Sequence, residues 1–199
     1  MTKILAIDGS YRDHGITDQA VEAAAAAARG AGAEVEIIYL RDFPIEFCLN
    51  CRECTQLPGE APGQCVQHDA MHELVEKIEA ADAYILASPT NFYTVTALFK
   101  RFEERLVVYA YWPWDMPAPQ ERKAGAVKKK ALLISSCAAP GLLGRLFYNT
   151  QKQLKATAKV IGAKPVGSLF IGLIGMQHPP RLPDQARMKA ANLALRLTR

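Results

Sequence analysis

Apolar residues along this chain fall into two alternating patterns. Short continuous runs at Lys3–Asp8, Glu34–Leu40, Ala83–Ala87, Lys130–Ser135 and Lys164–Ile174 predict strands covered on both faces, where no polar alternation is needed. Between them lie segments of helical period. Thr17–Ala31 holds an alanine run without a breaker before Gly30 and Gly32, and alanine is the strongest helix former. Met71, Leu74, Val75 and Ile78 recur at i, i+3, i+4 and i+7 behind Asp69, a capping residue. A third helix carries Leu98, Phe99, Phe102 and Leu106, and a fourth runs from the turn SCAAPG through about Ile161. The last, from about Pro183 to Leu197, turns Ala186, Ala190, Leu193 and Leu197 inward.

Strands alternating with helices predict an α/β three-layer sandwich, a five-stranded parallel sheet in the order 2-1-3-4-5. Its 199 residues suffice for one domain spanning 1–199, and no internal repeat is visible. Two long interruptions stand out: a Cys-rich insertion at about 41–66 and an aromatic, Pro-rich loop at about 109–127. In such a sheet, ligands bind beyond the carboxyl ends of the first, third and fourth strands. Those ends read GSYRDHGIT, SPTNFYTV and SSCAAPGLLGR, all rich in small, hydroxyl or turn residues.

The first of these loops, Gly9 to Thr17, enters a helix whose free N–H groups and positive dipole end suit an anion. It is neither a G-x-G-x-x-G dinucleotide turn nor a G-x-x-x-x-G-K-[ST] phosphate loop. Ser10 and Thr17 offer hydroxyls, Arg12 a guanidinium, and the backbone from Arg12 to Thr17 several N–H donors, a set that suits a terminal phosphate. An ordinary turn with Thr17 capping the helix is the competing reading. In the second loop, Pro89, Asn91 and the adjacent aromatics suit a planar ring, against a plain strand-to-helix connection with Phe92 or Tyr93 in the core. A phospho-accepting receiver domain would need an aspartate where Ser88 stands, and an acidic pair after the first strand.

Net charge is +4, part of it in Lys128–Lys130 and Arg122–Lys123, a solvated edge without the interleaved aromatics that nucleic-acid binding would use. The longest apolar stretch, around Val166 to Ile174, contains two glycines and a serine, so no membrane span is expected. A strand begins almost at the N-terminus with no basic n-region, which predicts no signal peptide and a cytoplasmic protein. His14, His68, His72 and His178 lack metal-ligand spacing, although His14 stands near the phosphate loop.

GSYRDHGIT, SPTNFYTVTALFKRFEER and the intervening CVQHDAMHELVEKIEAADAYILASP together resemble the NADPH-dependent FMN reductase and iron–sulfur flavoprotein group of flavodoxin-like proteins. The similarity runs from about Lys3 to Arg105 and more loosely to Ile174. It implies FMN phosphate contacts from Ser10, Arg12 and Thr17, with Ile16, where asparagine is usual, giving only its backbone N–H. It implies isoalloxazine contacts from Pro89, Thr90, Asn91 and Phe92, and assigns Ser136 of the fourth-strand loop to the same site. Asn91 stands where an aromatic is usual. Lys100 and Arg105 match a family K…R pairing as structural residues.

Four of five cysteines lie at 48, 51, 54 and 65. Two x-x spacers let Cys48, Cys51 and Cys54 converge on one face of a cubane, with Cys65 returning over a final gap longer than the family's usual one. The readings are a [4Fe–4S] cluster, zinc, or a metal-free remnant or redox pair. Cys137 sits apart. For Trp112 and Trp114 the readings are a satellite core or a dimer contact over a neighbouring subunit's flavin. The resemblance implies an FMN-dependent oxidoreductase, taking a hydride from NAD(P)H as co-substrate and reducing a quinone, free flavin or similar small acceptor. A homodimer or homotetramer is expected. The flavin supplies the chemistry, so no catalytic side chain is named. The alternatives are an electron-transfer iron–sulfur flavoprotein and a non-enzymatic zinc or interaction module.

Overall fold

The computed structural model describes residues 1–140, 144, 147–176 and 178–199. Its strands, in chain order, are β1 (Lys3–Asp8), β2 (Glu34–Tyr39), β3 (Ala83–Pro89), β4 (Ala110–Tyr111), β5 (Gln120–Glu121), β6 (Lys129–Ser136) and β7 (Ala163–Ile171). Five of them pair in parallel as β2-β1-β3-β6-β7, while β4 and β5 form a separate antiparallel ribbon. With the ribbon set aside, this is the flavodoxin-like order expected from the hydrophobic pattern. The register slips once, where Ala131 faces Pro165 and Leu132 faces Gly167. Proline lacks an N–H for the ladder and is tolerated there because β7 is an edge strand.

The helices are α1 (Ile16–Gly30), α2 (Met71–Ala80), α3 (Ala97–Arg105), α4 (Thr150–Val160) and α5 (Asp184–Ala194). Successive strand residues point to opposite faces, so each strand feeds two cores. Ile4 and Ala6 of β1 pack with Ala20, Ala24 and Ala28 of α1 and Ala190 and Leu193 of α5. Leu5 and Ile7 pack on the other side with Leu74 and Ile78 of α2, Phe99 and Phe102 of α3 and Leu154 of α4. The small alanine face of α1 lets that helix lie close to the sheet, and its alanines there are fully buried.

Several boundaries differ from the expected ones. The last sheet strand ends at Ile171, which frees residues 172–174 for the loop beyond it. The expected helix following the SCAAPG turn falls in its first part on residues 141–143 and 145–146, outside the described residues; its described part is α4. No helix among the described residues is long and apolar enough to cross a membrane.

Candidate functional site

Strands β1, β3 and β6 end side by side, with Asp8 opposite Ala87 and Pro89 opposite Ser136. The first loop leaves β1 through Gly9, whose N–H donates to Ala87 O at 2.8 Å. A Cβ at this position would lie 2.7 Å from Phe99 Cβ, so the close approach of α3 requires glycine. Thr96, the N-cap of α3, donates its hydroxyl to Gly9 O at 2.6 Å and fixes the start of the loop. Within the loop, Ser10 Oγ donates to Arg12 O at 3.1 Å and accepts the Arg12 N–H at 3.2 Å.

Helix α1 starts at Ile16 with Gly15 as its N-cap, a residue that has no side chain to offer the first turn. Thr17 therefore does not cap the helix: it lies inside the first turn, and a capping side chain must come from the non-helical residue before it. Its hydroxyl instead meets Ser136 Oγ at 2.9 Å, joining the first loop to the end of β6. The first intrahelical bond runs from Gln19 N–H to Gly15 O at 2.9 Å. The amides of Ile16, Thr17 and Asp18 precede it, at a terminus where all three residues are buried and no side chain caps them.

A cleft of about 310 Å³ opens over this terminus. Ser10, Arg12, Ile16 and Thr17 line it from the first loop, and Pro89, Thr90 and Asn91 from the second. Ser136 closes it from the third. Thr90 is fixed by its N–H to Ser136 O at 2.7 Å and by its hydroxyl against Thr150 Oγ1 at 2.8 Å. A fourth wall, Ile174, Gly175 and Pro180, has no counterpart in the motifs of the sequence. Gln19 ties that wall to the first loop: Nε2 donates to His14 O and Pro180 O, each at 2.9 Å, and Oε1 accepts Leu182 N–H at 2.9 Å. In the sequence this segment is marked only by its prolines, Pro179, Pro180 and Pro183.

Phe92 does not line the cleft. Asn91 and Thr94 exchange backbone hydrogen bonds of 2.9 and 3.1 Å, closing a two-residue turn around Phe92 and Tyr93. Both central residues have positive φ, 44° and 68°, as a type I′ turn demands and as bulky side chains rarely adopt. Tyr93 is clamped by the Asn149 N–H on its carbonyl at 2.7 Å and by Tyr148, ring to ring at 5.4 Å. Phe92 is left 97% exposed beside the second loop.

Charge beneath the first loop is unusual. Asp8 is fully buried and Asp18 nearly so. Asp8 Oδ1 accepts the Ser10 N–H at 2.8 Å. Burial, then the neighbouring Asp18 charge, pushes the Asp8 carboxyl well above the ordinary carboxylate range, while the Ser10 amide and Arg41 pull it back only in part. Arg41, at the end of β2, reaches Asp18 Oδ2 at 3.1 Å, Asp13 Oδ1 at 3.0 Å and Ser10 O at 3.3 Å.

The Cys-rich segment is held from the opposite side. Arg105, the last residue of α3 and 1% exposed, makes a two-pronged pair with Asp69 at 2.6 and 3.0 Å. It also donates to Glu46 O at 2.9 Å and to Cys65 Sγ at 3.5 Å. Burial alone would raise the Asp69 carboxyl, but hydrogen bonds from Arg105 and from the Glu46 and Met71 amides outweigh it and hold it below its ordinary value. Arg122 donates to four carbonyls, those of Val108, Ala110, Gly59 and Cys54, at 3.0–3.4 Å. Arg52 stacks on Trp112 at 3.8 Å and on Trp114 at 4.7 Å, donating to the carbonyls of Trp112 and Pro113. The aromatic loop is thus zipped to the Cys-rich segment, the satellite-core reading of Trp112.

All five cysteines are free thiols. Burial pushes the Cys54 thiol up to about 11, with Cys65, Cys48 and Cys51 adding to the shift, so the four are neighbours. They are not ligands as placed: among the described residues, no three Cys, His, Asp or Glu side chains stand where they could share a metal ion. A groove of about 670 Å³ lies beside Cys65, between Pro62–Cys65 and α2.

Fold and cleft define a flavodoxin-like α/β protein whose first loop presents a buried, uncapped helix terminus. The chain belongs to the NADPH-dependent FMN reductase family, whose pattern matches residues 2–172. An iron–sulfur flavoprotein of Archaeoglobus fulgidus is 37% identical to it over 111 residues, 56% of this chain and 48% of that protein. The matched region thus spans about half the length of the curated relatives. Among solved structures, an FMN-dependent NADH-azoreductase of Bacillus anthracis in complex with FMN superposes with a TM-score of 0.69 at 14% identity, covering all of both chains. An NAD(P)H:quinone oxidoreductase of Methanothermobacter marburgensis gives 0.67 at 16% identity, over 100% of this chain and 98% of that one. These structural likenesses concern the fold.

Proposed function

We propose that the cleft binds FMN and that the protein is an FMN-dependent NAD(P)H oxidoreductase serving a small acceptor. One observation carries this reading: the α1 N-terminus is buried, has no side-chain cap, and opens into a cleft ringed by hydroxyls. A buried helix terminus with open amides calls for an anionic partner. Those amides, the Thr17 hydroxyl and the Arg12 guanidinium then hold the phosphate, with Ser10 shaping the loop between them. Pro89, Thr90 and Asn91 border the ring, with Ser136 at the junction of the loops and Ile174 and Pro180 as apolar cover. The chemistry supplied by bound flavin, hydride acceptance from NADH or NADPH and delivery to a quinone or free flavin, needs no protein acid or base. The chain's own part is to bind, orient and shield. A dimer or tetramer fits the reading.

Reconstitution with FMN tests it. We expect uptake of one flavin with its visible absorbance, and an Arg12→Ala variant that loses about tenfold or more in FMN affinity while riboflavin binding is unchanged. No FMN uptake refutes the reading; equal loss for both ligands removes Arg12 from the phosphate. A second reading, an electron-transfer protein with a cluster on Cys48, Cys51, Cys54 and Cys65, is favoured by the mutual proximity of the thiols and by the relatives' names. Because the side chains as placed do not form a metal site, no step is assigned to a cluster. Iron and sulfide analysis of anaerobically purified protein decides between the two.

A further inference from the structure

Two carboxylates buried beneath an anion-receiving loop need an explanation, because both would repel a phosphate. Asp8 and Asp18 are 0% and 3% exposed, and Asp8 lies within hydrogen-bond reach of Asp18. Among the described residues, Asp8 Oδ2 and both Asp18 oxygens have no hydrogen-bond donor. Arg41 sits 3.1 Å from Asp18 Oδ2 as an ion-pair contact, and its other contacts go to Asp13, Asp42 and Ser10 O. One half-buried cation cannot neutralise two buried carboxylates as well as the exposed Asp13. Two neighbouring buried carboxylates, of which only Asp18 has a cation beside it, are tolerated when one proton lies between them.

We propose that Asp8 keeps a proton, shares it with Asp18, and thereby acts as the positioning residue of the phosphate loop. Protonated, Asp8 accepts the Ser10 N–H on Oδ1 and donates from Oδ2 to Asp18, which links the end of β1 to the first turn of α1. The remaining Asp18 charge is matched by Arg41, so the base of the cradle is neutral. Loss of the proton would place a second negative charge directly under Ser10 and weaken binding of a phosphate monoester. Other charged or titratable groups around the pair are Glu22 of α1, Asp13 and His14 of the loop, Arg187 of α5, and Tyr39 and Asp42 beside Arg41; His14, Arg187 and Asp18 line one surface pocket. Tyr39 donates to Glu22. From the other side β3 presents Ala87 and α3 its N-cap Thr96, both uncharged. Burial raises the Asp8 carboxyl in the direction this arrangement requires.

The inference rests on the FMN reading for its ligand, but not for its proton. Carbon-13 carboxyl spectra of the intact chain, from about pH 4 to pH 10, follow Asp8 in the wild type and in Asp18→Asn. Asp8 is expected to stay protonated through the ordinary carboxylate range, and to ionise earlier in Asp18→Asn. Ionisation of Asp8 within the ordinary carboxylate range overturns the proposal. In Asp8→Asn the carbonyl still accepts from Ser10 and the amide still donates to Asp18. Through the Asp8 transition, FMN affinity of the wild type should fall relative to Asp8→Asn, approaching about tenfold per pH unit, with riboflavin affinity alike in both. Wild type and Asp8→Asn tracking each other through that transition also overturns it. Failure of both proteins to bind FMN at any pH refutes the FMN reading instead, and the carboxyl spectra still decide the proton.

Discussion

The loop at residues 9–17 and the Cys-rich segment at 41–66 are both built around arginine, and they use it in opposite ways. In the first, Arg41 pairs with Asp18 below the loop, Arg12 stands at the cleft, and the amides of Ile16, Thr17 and Asp18 remain open. In the second, Arg105 and Arg122 are turned inward onto carbonyls, a carboxylate and a thiol, and Arg52 is stacked under two indoles. One region leaves donors open to a cleft; the other turns its guanidinium forks onto its own backbone and leaves only Arg52 Nε and Arg105 Nε, both buried, without a partner among the described residues. Donor richness alone therefore does not mark a binding site, and the distinction lies in which donors are already engaged.

The largest expected effect comes from opening the closed region. Arg105→Met leaves the largely buried Asp69 carboxylate without its partner, a loss of about 3 kcal/mol at the low end of the range for a buried pair. Denaturant unfolding should register this loss while FMN binding by the folded fraction is retained. The sign with pH follows from Asp69, whose carboxyl is held below its ordinary value in the folded protein. Its contribution is complete above the unfolded value, near about pH 4, and is lost as pH falls through the folded value. The gap between wild type and Arg105→Met should therefore narrow below about pH 4; a gap that widens in acid would remove the pair from the stability of this segment.

A smaller perturbation of the same region is Gly63→Ala. A Cβ there would sit 1.7 Å from Cys54 O, while the Gly63 N–H donates to Val108 O at 2.8 Å. The backbones must part, at about 1–3 kcal/mol by analogy with overpacked cores. Cys54 is 7% exposed in the wild type, so its alkylation should accelerate in the variant. An unchanged rate would show that the segment yields elsewhere and that Gly63 does not seal the thiol.

Much of this contrast was legible in the sequence, and the limits of that reading are physical. Continuous apolar runs gave away five sheet strands because a parallel sheet is buried on both faces, and hydroxyl-rich loops at three strand ends pointed to the cleft. Asp8 passed unnoticed since a single acid at the end of an apolar run looks like a strand boundary; its role depends on Asp18 and Arg41, which only the fold brings beneath it. Arg105 could be read as structural, but its partners Asp69, Glu46 and Cys65 lie 36 to 59 residues away. The wall of Ile174, Gly175 and Pro180 needed the Gln19 contacts, more than 160 residues distant, to become visible. The β4–β5 ribbon, two residues per strand, is too short to show a period.

The smallest predicted effect concerns the second loop, where the two regions' logic meets. Phe92 combines a left-handed backbone with a side chain that is almost wholly exposed, so it bears conformational cost with little packing in return. Phe92→Gly removes the Cβ conflict of the turn and should stabilise the free protein by up to about 1 kcal/mol. If the aromatic is retained for the isoalloxazine, the same variant must bind FMN and riboflavin equally less well, since the ring is common to both. A stabilised variant with unchanged affinity for both ligands would instead make Phe92 a bystander and confine ring contacts to Pro89, Thr90 and Asn91. A destabilised variant would mean that the turn relies on Phe92 for packing, against its 97% exposure. Melting temperature and the two affinities, measured on one pair of proteins, separate these outcomes.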